Sequence, residues 1–312
     1  MTGVYADTSN MSDTAQIDAA DVKTPIDALD TQIAKYRFAG GRLSLSSTLA
    51  VPTGDLTDAT TLYYHAYKAS PTPGIISLWD AAKSGLRIVD FTAATVSLSL
   101  SGLTISTLYD VFGYLAAGTL ALEAHAWSSS AVGSSSRATA LTWQNGLLCK
   151  SGDPTRRFLG TLYVGAVNKT DDTVAFRYLA NAQNTIPRRL FQSESDASWT
   201  YDSGTWRESN AGSNSVYVVV PLDGTVVYAS FVQVLGGSSI EASTGIALDS
   251  ATDEPTYYGY RDASGVQTIT TVLTAELGAG LHKLTTCESV SSGTVTFYGD
   301  NSEHALQGWV MA

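Results

Sequence analysis

The segment Thr95-Val96-Ser97-Leu98-Ser99-Leu100-Ser101 decides the fold class, because apolar and small polar residues alternate along it. Side chains of a β-strand point alternately to its two faces, so a period of two residues predicts a strand with one buried face. Related patterns recur on both sides, separated by turn-forming clusters, and predict an antiparallel β-sandwich or barrel. The other predicted strands of this region are 43–46, 61–67, 75–79, 108–114, 120–127 and 157–164.

The composition favours the same class. Of 312 residues, 44% are hydrophobic and 15% are charged, against a charged share of about 25% in typical domains. Ser, Thr, Asn and Gly replace ionic groups, and hydroxyl and β-branched residues suit pleated sheets and tight turns. The chain is too long for one ordinary core, so we predict a mainly β protein with two β-domains and an N-terminal extension.

A second β-domain is predicted over residues 190–312, after a first domain over 42–189, with Pro187-Arg188-Arg189 at the junction. Trp199-Thr200-Tyr201 and Thr205-Trp206-Arg207 flank a turn and predict a hairpin. Gly236-Gly237 is predicted to lie between strands. Seven or eight strands in about 120 residues suggest a jelly-roll-like sandwich. The further strands predicted here are 216–220, 226–234, 245–248, 269–273, 281–288, 295–298 and 306–311.

Residues 1–41 are predicted to form an anchoring arm and one short helix. Thr24-Pro25 suits a helix start, and Gly40-Gly41 suits its end. A helix of about 14 residues is marginal alone in water, so its narrow apolar stripe must be buried against sister chains or against the downstream domain. Both alternatives are open. The stripe consists of Val22, Ile26, Leu29, Ile33 and Tyr36.

Charge and hydropathy exclude several classes of partner. The formal net charge of −11 disfavours binding to nucleic acid, whose phosphates it repels. The sequence has no apolar run long enough for a membrane helix, and its first residues lack the basic start of a signal peptide. We therefore expect no membrane insertion and synthesis in a cytoplasm. Two distant cysteines, Cys149 and Cys287, are expected to be buried free thiols.

No catalytic or cofactor motif is found. Gly-x-Ser-x-Gly and phosphate-loop patterns are absent from the sequence. The four histidines lack metal-ligand spacing: His65 and His125 are expected in strands, His282 at a strand start and His304 in a polar loop. Asp249, Asp253 and Glu254 are interpreted as a solvated turn, with calcium binding as a weak alternative. We expect a protein that is not an enzyme and needs no cofactor or metal.

Two aromatic clusters are candidates for glycan or receptor binding. Exposed aromatic rings offer sugars an apolar face, and tyrosine adds a polar tip. The same rings could instead fill a core or a subunit interface, and this alternative stays open. Tyr257, Tyr258 and Tyr260 cannot all face one side of a strand, so at least one must face outward or across an interface. The other cluster consists of Trp199, Tyr201 and Trp206, on the predicted hairpin.

Several runs of the middle region resemble a module of tailed-bacteriophage virion structural proteins. They include Arg42-Leu43-Ser44-Leu45, Leu108-Tyr109-Asp110-Val111-Phe112 and Lys150-Ser151-Gly152-Asp153-Pro154-Thr155-Arg156-Arg157-Phe158-Leu159-Gly160-Thr161. The resemblance covers about half the chain. It implies a component of a head or tail fibre, a spike or a decoration protein, located in the virion and made in the host cytoplasm.

The resulting expectation is a non-enzymatic homotrimeric fibre or spike that functions in host attachment. Its partners would be copies of itself, another virion protein (capsid, portal or tail) contacted through residues 1–41, and host surface polysaccharide. The first alternative is a capsid decoration protein that stabilises the head. The second is a small polysaccharide-degrading enzyme, which no motif supports.

Overall fold

The computed structural model describes residues 40–67, 74–91, 96–212, 214–250, 255, 257–300 and 302–312. Within them the chain is almost entirely β-structure, which confirms the predicted mainly β class. Ser209–Ala211 form a short 3-10 turn. The strands are β1 Gly41–Ser44, β2 Leu56–Ala59, β3 Thr61–Ala66, β4 Gly74–Asp80, β5 Gly85–Phe91, β6 Ser97–Ser99, β7 Thr107–Ala116, β8 Thr119–Ala126, β9 Leu141–Gln144, β10 Leu147–Lys150, β11 Asp153–Val164, β12 Thr170–Asp172, β13 Phe176–Arg177, β14 Leu179–Asn181, β15 Pro187–Ser193, β16 Ser198–Tyr201, β17 Arg207–Glu208, β18 Ser215–Val220, β19 Thr225–Leu248, β20 Tyr257–Leu277, β21 Gly280–Ser292, β22 Val295–Tyr298 and β23 His304–Met311.

The predicted N-terminal helix lies outside the described residues, together with its stripe of Val22, Ile26, Leu29, Ile33 and Tyr36. The choice between sister chains and intrachain docking is therefore still open. Over the ranges that the structure does describe, no helix has the length and apolarity needed to cross a membrane.

One apolar core lies between the first sheets of the chain. A three-stranded sheet, β1-β3-β6, and the β4-β5 hairpin pack against a sheet with the order β8-β7-β11-β10-β9, in which β14 also pairs with β11. Alternation within the strands supplies the core: Leu62 and Tyr64 of β3 point inward and are buried. Each such side chain contributes about 1.5–3 kcal/mol by leaving water. Other members are Leu43, Ile76, Leu78, Val111, Leu159 and Leu162.

A second core lies inside the largest sheet, whose main path is β15-β23-β19-β21-β18-β13-β12-β2. The first half of β19 pairs with β23 and its second half pairs with β21, so β19 belongs to two sets of strands. Inward side chains of both sets, such as Phe231 of β19, Leu306 of β23 and Leu284 of β21, form one buried cluster. The sheet is therefore folded over on itself, which gives a sandwich-like arrangement. The jelly-roll connection stays a prediction.

The prediction of separate strands at 226–234 and 245–248 is wrong, because both belong to β19. Gly236-Gly237 lie inside this strand and not between strands. Their partners on β20 are Val266 and Gly265, and the register shifts only after Gly237. A continuous partner strand carries the ladder of hydrogen bonds across the two glycines, although glycine weakens a strand locally.

The predicted hairpin of Trp199-Thr200-Tyr201 with Thr205-Trp206-Arg207 is also wrong. β16 pairs with β22, and β17 pairs with β21. The two segments thus lie beside different strands, although the side chains of Trp199 and Arg207 both donate to the buried Glu288 of β21.

Contacts cross the predicted domain junction. β13 pairs in parallel with β18, and Pro187-Arg188-Arg189 begin β15, which pairs with β23. The buried carboxylate of Asp172 in β12 accepts hydrogen bonds from Arg177 at 2.9 Å and from Arg188 at 2.8 Å. Strands from both sides of residue 189 therefore share one sheet. Arg188 lies in β15, the strand that spans residue 189, and its ion pair with Asp172 connects this strand to β12. The division into domains 42–189 and 190–312 stays a prediction about independent folding.

Candidate binding site

Glu288 is the centre of the site, and the sequence did not single it out. It lies in β21 and is fully buried. Trp199 donates its indole N–H to Glu288 Oε2 at 2.8 Å, and Arg207 donates Nε to Oε1 at 2.8 Å. Burial raises the pKa of the Glu288 carboxyl above its ordinary value, and the bonds from Trp199 and Arg207 oppose part of that rise. These bonds fix β16 and β17 against β21.

Trp199 is part of a small core and not of an open surface. Its ring is stacked on Phe297 at a centroid distance of 5.8 Å and meets the ring of His304 edge-on at 5.7 Å. The predicted alternative, in which these aromatic rings fill a core, is therefore the one that applies to Trp199. Its remaining function is structural, because its N–H helps to hold the buried carboxylate of Glu288.

Tyr201 and Arg207 continue the arrangement toward the surface. The guanidinium of Arg207 lies 3.8 Å from the centroid of the Tyr201 ring, a cation–π contact that is worth about 0.5–2 kcal/mol. The Tyr201 hydroxyl donates to the carbonyl of Thr205 at 2.6 Å. The segment between β16 and β17 is therefore held at both of its ends.

The structure brings the two predicted aromatic clusters together. The ring of Trp206 meets the ring of Tyr258 at 5.7 Å and 64°, although 52 positions of sequence separate them. Tyr258 and Tyr260 point to the same side of β20 and are 47% and 48% exposed. Tyr257 begins β20, and its side chain lies outside the described part. We call Trp206, Tyr258 and Tyr260 the aromatic platform.

The aromatic platform is a half-exposed apolar surface on a firm support. Tyr258 and Tyr260 lie on the long β19–β20 hairpin, and Trp206 precedes β17, which Glu288 anchors. A planar apolar ligand face could stack on these rings, and the tyrosine hydroxyls could exchange hydrogen bonds with it. Of the six predicted residues, Trp206, Tyr258 and Tyr260 share this surface, and Trp199 and Tyr201 support it.

The acidic segment is only partly described, because Asp253 and Glu254 lie outside the described residues. Asp249 Oδ2 is 2.8 Å from His282 Nδ1, and its Oδ1 accepts from the backbone N–H of Lys283 at 2.9 Å. Both carboxylate oxygens of Asp249 are therefore engaged within the chain. Across the described ranges, no group of three or more His, Cys, Asp or Glu side chains has the arrangement of a metal site.

Three histidines lie in strands as predicted, and one does not lie where it was expected. His65, His125 and His282 belong to β3, β8 and β21. The prediction of a polar loop at His304 is wrong, since this residue starts β23 and is fully buried. Burial lowers the pKa of His304 to about 4. Its ring packs on Phe231 at 4.9 Å, so contacts made by the folded chain override its polar neighbours in sequence.

The expectation for the cysteines is confirmed: Cys149 and Cys287 are buried and free. Burial raises the pKa of the Cys149 thiol to about 11 and that of Cys287 to about 12. Since the thiolate is the reactive form, both side chains are chemically quiet at neutral pH.

Comparisons with known proteins give no family. No protein-family model matches the chain, and no curated protein matches it. Among solved structures, it is similar to the stem and receptor binding domain of spike protein P1 from bacteriophage PM2, with 12% identity, coverage of 67% of this chain and 88% of that chain, and a TM-score of 0.24. Infectious bursal disease virus, Gx strain, gives 10% identity, coverage of 83% and 75%, and a TM-score of 0.24.

A non-viral protein is matched at a similar level. Eiger TNF from S. frugiperda shows 13% identity, a TM-score of 0.28, and coverage of 41% of this chain and 92% of that chain. TM-scores of this size carry no argument about function or about the detailed fold of the chain.

Proposed function

We propose that this chain is a non-enzymatic bacteriophage virion protein, a homotrimeric fibre or spike that presents its C-terminal β-region to host surface glycans. The aromatic platform of Trp206, Tyr258 and Tyr260 is the observation that carries this proposal. Sugars offer apolar faces to aromatic rings, and two half-exposed tyrosines beside a tryptophan suit such a face. The resemblance of the middle region to tailed-phage virion proteins supports the virion part of the proposal.

Trimerisation would make weak platforms effective. Three copies of one site on a symmetric oligomer bind a repeating glycan by avidity without any new contact. Residues 1–41 would provide attachment to another virion protein, and the stripe of Val22, Ile26, Leu29, Ile33 and Tyr36 would pack between sister chains.

Two surface features fit contacts between subunits. β20 is 21 residues long and, in the described part of the chain, pairs with β19 alone. The outer edge of such a strand is open to other chains. On the same sheet, Val266, Val272 and Trp309 are 66%, 46% and 40% exposed. Apolar surface of this kind marks interaction sites when it is contiguous.

Glycan binding is tested with the full chain on an array of bacterial surface polysaccharides. We expect Tyr258→Ala to lower binding about tenfold, since it removes one stacking ring. Phe176→Ala is the matched control, because this partly exposed aromatic side chain on β13 belongs neither to the platform nor to the surfaces proposed for subunit contacts. Equal binding by the Tyr258→Ala variant and the unmodified chain would rule the platform out as the glycan site.

Oligomeric state is tested by light scattering on the full chain and on a variant with Ile26→Ser and Ile33→Ser. We expect three chains for the unmodified protein and a smaller assembly for the variant, because the substitutions interrupt the apolar stripe. A monomeric unmodified chain would contradict the fibre proposal and favour the capsid decoration alternative.

A further inference from the structure

A groove of about 500 Å³ lies apart from the aromatic platform. Its size is within the range of about 300–1,000 Å³ that is typical of small-molecule sites. One wall is the β9–β10 hairpin, which contributes Trp143 and Leu148. The serine-rich loop before Arg137 forms the second wall, and the turn that carries Leu222 and Asp223 forms the third.

The floor of the groove is a satisfied buried network around Asp110. This carboxylate, which is 3% exposed, accepts from the Trp127 indole N–H at 2.9 Å and from the Thr161 hydroxyl at 2.8 Å. Arg137 donates its Nε to Asp110 Oδ2 at 2.7 Å. Burial strengthens each of these bonds, so the floor is rigid.

Arg137 connects the floor to the walls. Its guanidinium lies 4.3 Å from the centroid of the Trp127 ring. The same group donates Nη2 to the carbonyl of Pro221 at 2.6 Å, which fixes the turn that carries Asp223. Asp223 Oδ1 in turn accepts from the backbone N–H of Ala279 at 2.7 Å. The groove therefore exists before any ligand binds, and ordering costs little on binding.

The serine-rich loop is also fixed in place. The Ser135 hydroxyl donates to the carbonyl of Ala131 at 2.8 Å and accepts from the backbone N–H of Leu281 at 3.1 Å. Gly133 donates its backbone N–H to the Leu281 carbonyl at 2.9 Å. The low-complexity sequence of this segment thus forms an ordered polar wall against β21.

Trp143 stands at the rim of this rigid groove. It is 69% exposed, the most exposed of the large hydrophobic side chains in the described part of the chain. It lies on β9, at the end of its sheet, opposite Leu148 of β10. Exposure of the Trp143 indole ring to water does not stabilise the folded chain, whereas a ligand with an apolar face could stack on this ring.

The charged residues that line the groove restrict the class of ligand that it can bind. Arg137 is neutralised by Asp110 within the floor, and its side chain is 16% exposed. The carboxylate of Asp223 remains at the exposed rim, where it repels anions and accepts hydrogen bonds from hydroxyl groups. An exposed aromatic face beside an exposed carboxylate matches a polyhydroxylated ring that carries no negative charge.

We infer that the groove beside Trp143 is a second carbohydrate site, which takes a neutral saccharide stacked on Trp143 and hydrogen-bonded to Asp223. The inference does not rest on the proposed virion function, because it uses residues outside the aromatic platform. The two sites lie on different parts of the fold.

The test is saturation-transfer NMR of the full chain with neutral oligosaccharides of glucose, galactose, mannose, rhamnose and N-acetylglucosamine, with oligogalacturonate as the anionic comparison. We expect at least one neutral saccharide to bind. Trp143→Ala should weaken this binding about tenfold, and Asp223→Asn should weaken it to a smaller extent. Both side chains are exposed, so we expect an unchanged near-ultraviolet circular dichroism band from the buried aromatic rings.

Tyr258→Ala is the variant that separates this site from the platform. Retained binding in Tyr258→Ala, together with loss in Trp143→Ala, supports the groove. Loss in Tyr258→Ala with unchanged binding in Trp143→Ala overturns the groove and leaves the proposed function intact. Binding of oligogalacturonate in preference to every neutral saccharide overturns the inferred ligand class, and binding of no saccharide overturns the site.

Discussion

At the scale of single residues, buried polar side chains determine how the surface is arranged. Glu288 has no exposed surface, yet it positions Trp199 and Arg207 and thereby the segment that carries Trp206. Asp110 has the same function beneath the groove. Each carboxylate influences the surface through the side chains that donate hydrogen bonds to it, because a buried charge requires hydrogen-bond donors around it.

His304 makes stability depend on pH. Burial holds its folded-state pKa at about 4, below the ordinary value of 6.5. Between about pH 6.5 and pH 4, the unfolded chain therefore binds a proton at His304 that the folded chain does not bind. The free energy of unfolding falls as the pH drops through this range. We expect the unmodified chain to lose about 2 kcal/mol more than His304→Gln between about pH 7 and pH 5. Denaturant unfolding at the two pH values measures this difference.

The pKa of His282 is shifted in the opposite direction to that of His304, so the two residues have opposite effects on the pH dependence of stability. Burial lowers its pKa, but bonds to Asp249 and to the carbonyl of Gly278 raise it, and the net direction is upward. Its contribution is fully present below the unfolded pKa and is lost as the pH rises through the folded pKa. A His304→Gln variant with the same loss between pH 7 and pH 5 as the unmodified chain would contradict the assignment.

At the scale of elements, the close approach of two strands depends on glycine, which has no side chain. β23 pairs with β19 from His304 to Val310, and Gly308 lies opposite Ala229. A Cβ atom added at Gly308 would overlap the backbone carbonyl of Tyr228. Glycine therefore permits this pair of strands to pack in the observed register, which keeps Leu306 and Val310 in the core.

Gly308→Ala is expected to destabilise the protein by about 2 kcal/mol, because overpacking of a rigid backbone contact costs about 1–3 kcal/mol. Gly54→Ala is the matched control, since nothing lies within 4 Å of the Cβ atom that it would add. Thermal and denaturant unfolding of both variants give the comparison. Equal stability of the two variants would show that β23 can shift at low cost.

At the scale of the whole molecule, the regions on either side of residue 189 share one sheet, and a buried ion-pair network lies beside the junction. Asp172 is the carboxylate between Arg177 and Arg188. Burial and the charge of Arg188 lower the pKa of the nearby Arg42 to about 10, while Asp172 opposes this shift. Several buried guanidinium groups thus depend on one negative charge.

Asp172→Asn is expected to destabilise the chain by about 3 kcal/mol, because removal of one partner leaves buried charges uncompensated. Asp90→Asn, an exposed carboxylate on β5, is the control and should change stability by less than about 0.5 kcal/mol. Because the two regions share the sheet, we expect a single unfolding transition by fluorescence and by far-ultraviolet circular dichroism. Two separate transitions would instead support independently folding domains at 42–189 and 190–312.

Strand positions were predictable where strand-like runs are bounded by turn-forming clusters. β7, β8 and β11 were all anticipated in this way, although buried residues follow one another without alternation along β7 and β11. Partners were less predictable, as the wrong hairpin between Trp199 and Arg207 shows, because pairing depends on contacts far away in sequence. The burial of His304 was missed for the same reason, since its neighbours in the fold are Trp199 and Phe231.

The sequence is sufficient to predict that the chain is mainly β, that its thiols are buried, and which aromatic residues are candidates for a binding surface. These properties follow from composition and from local periodicity. Only the folded chain shows that Trp206 meets Tyr258, that Glu288 anchors their surroundings, and that Trp143 borders a groove above Asp110. The physical reason is that a site is made of side chains brought together by strand pairing and burial, and those contacts join positions that have no relation along the chain.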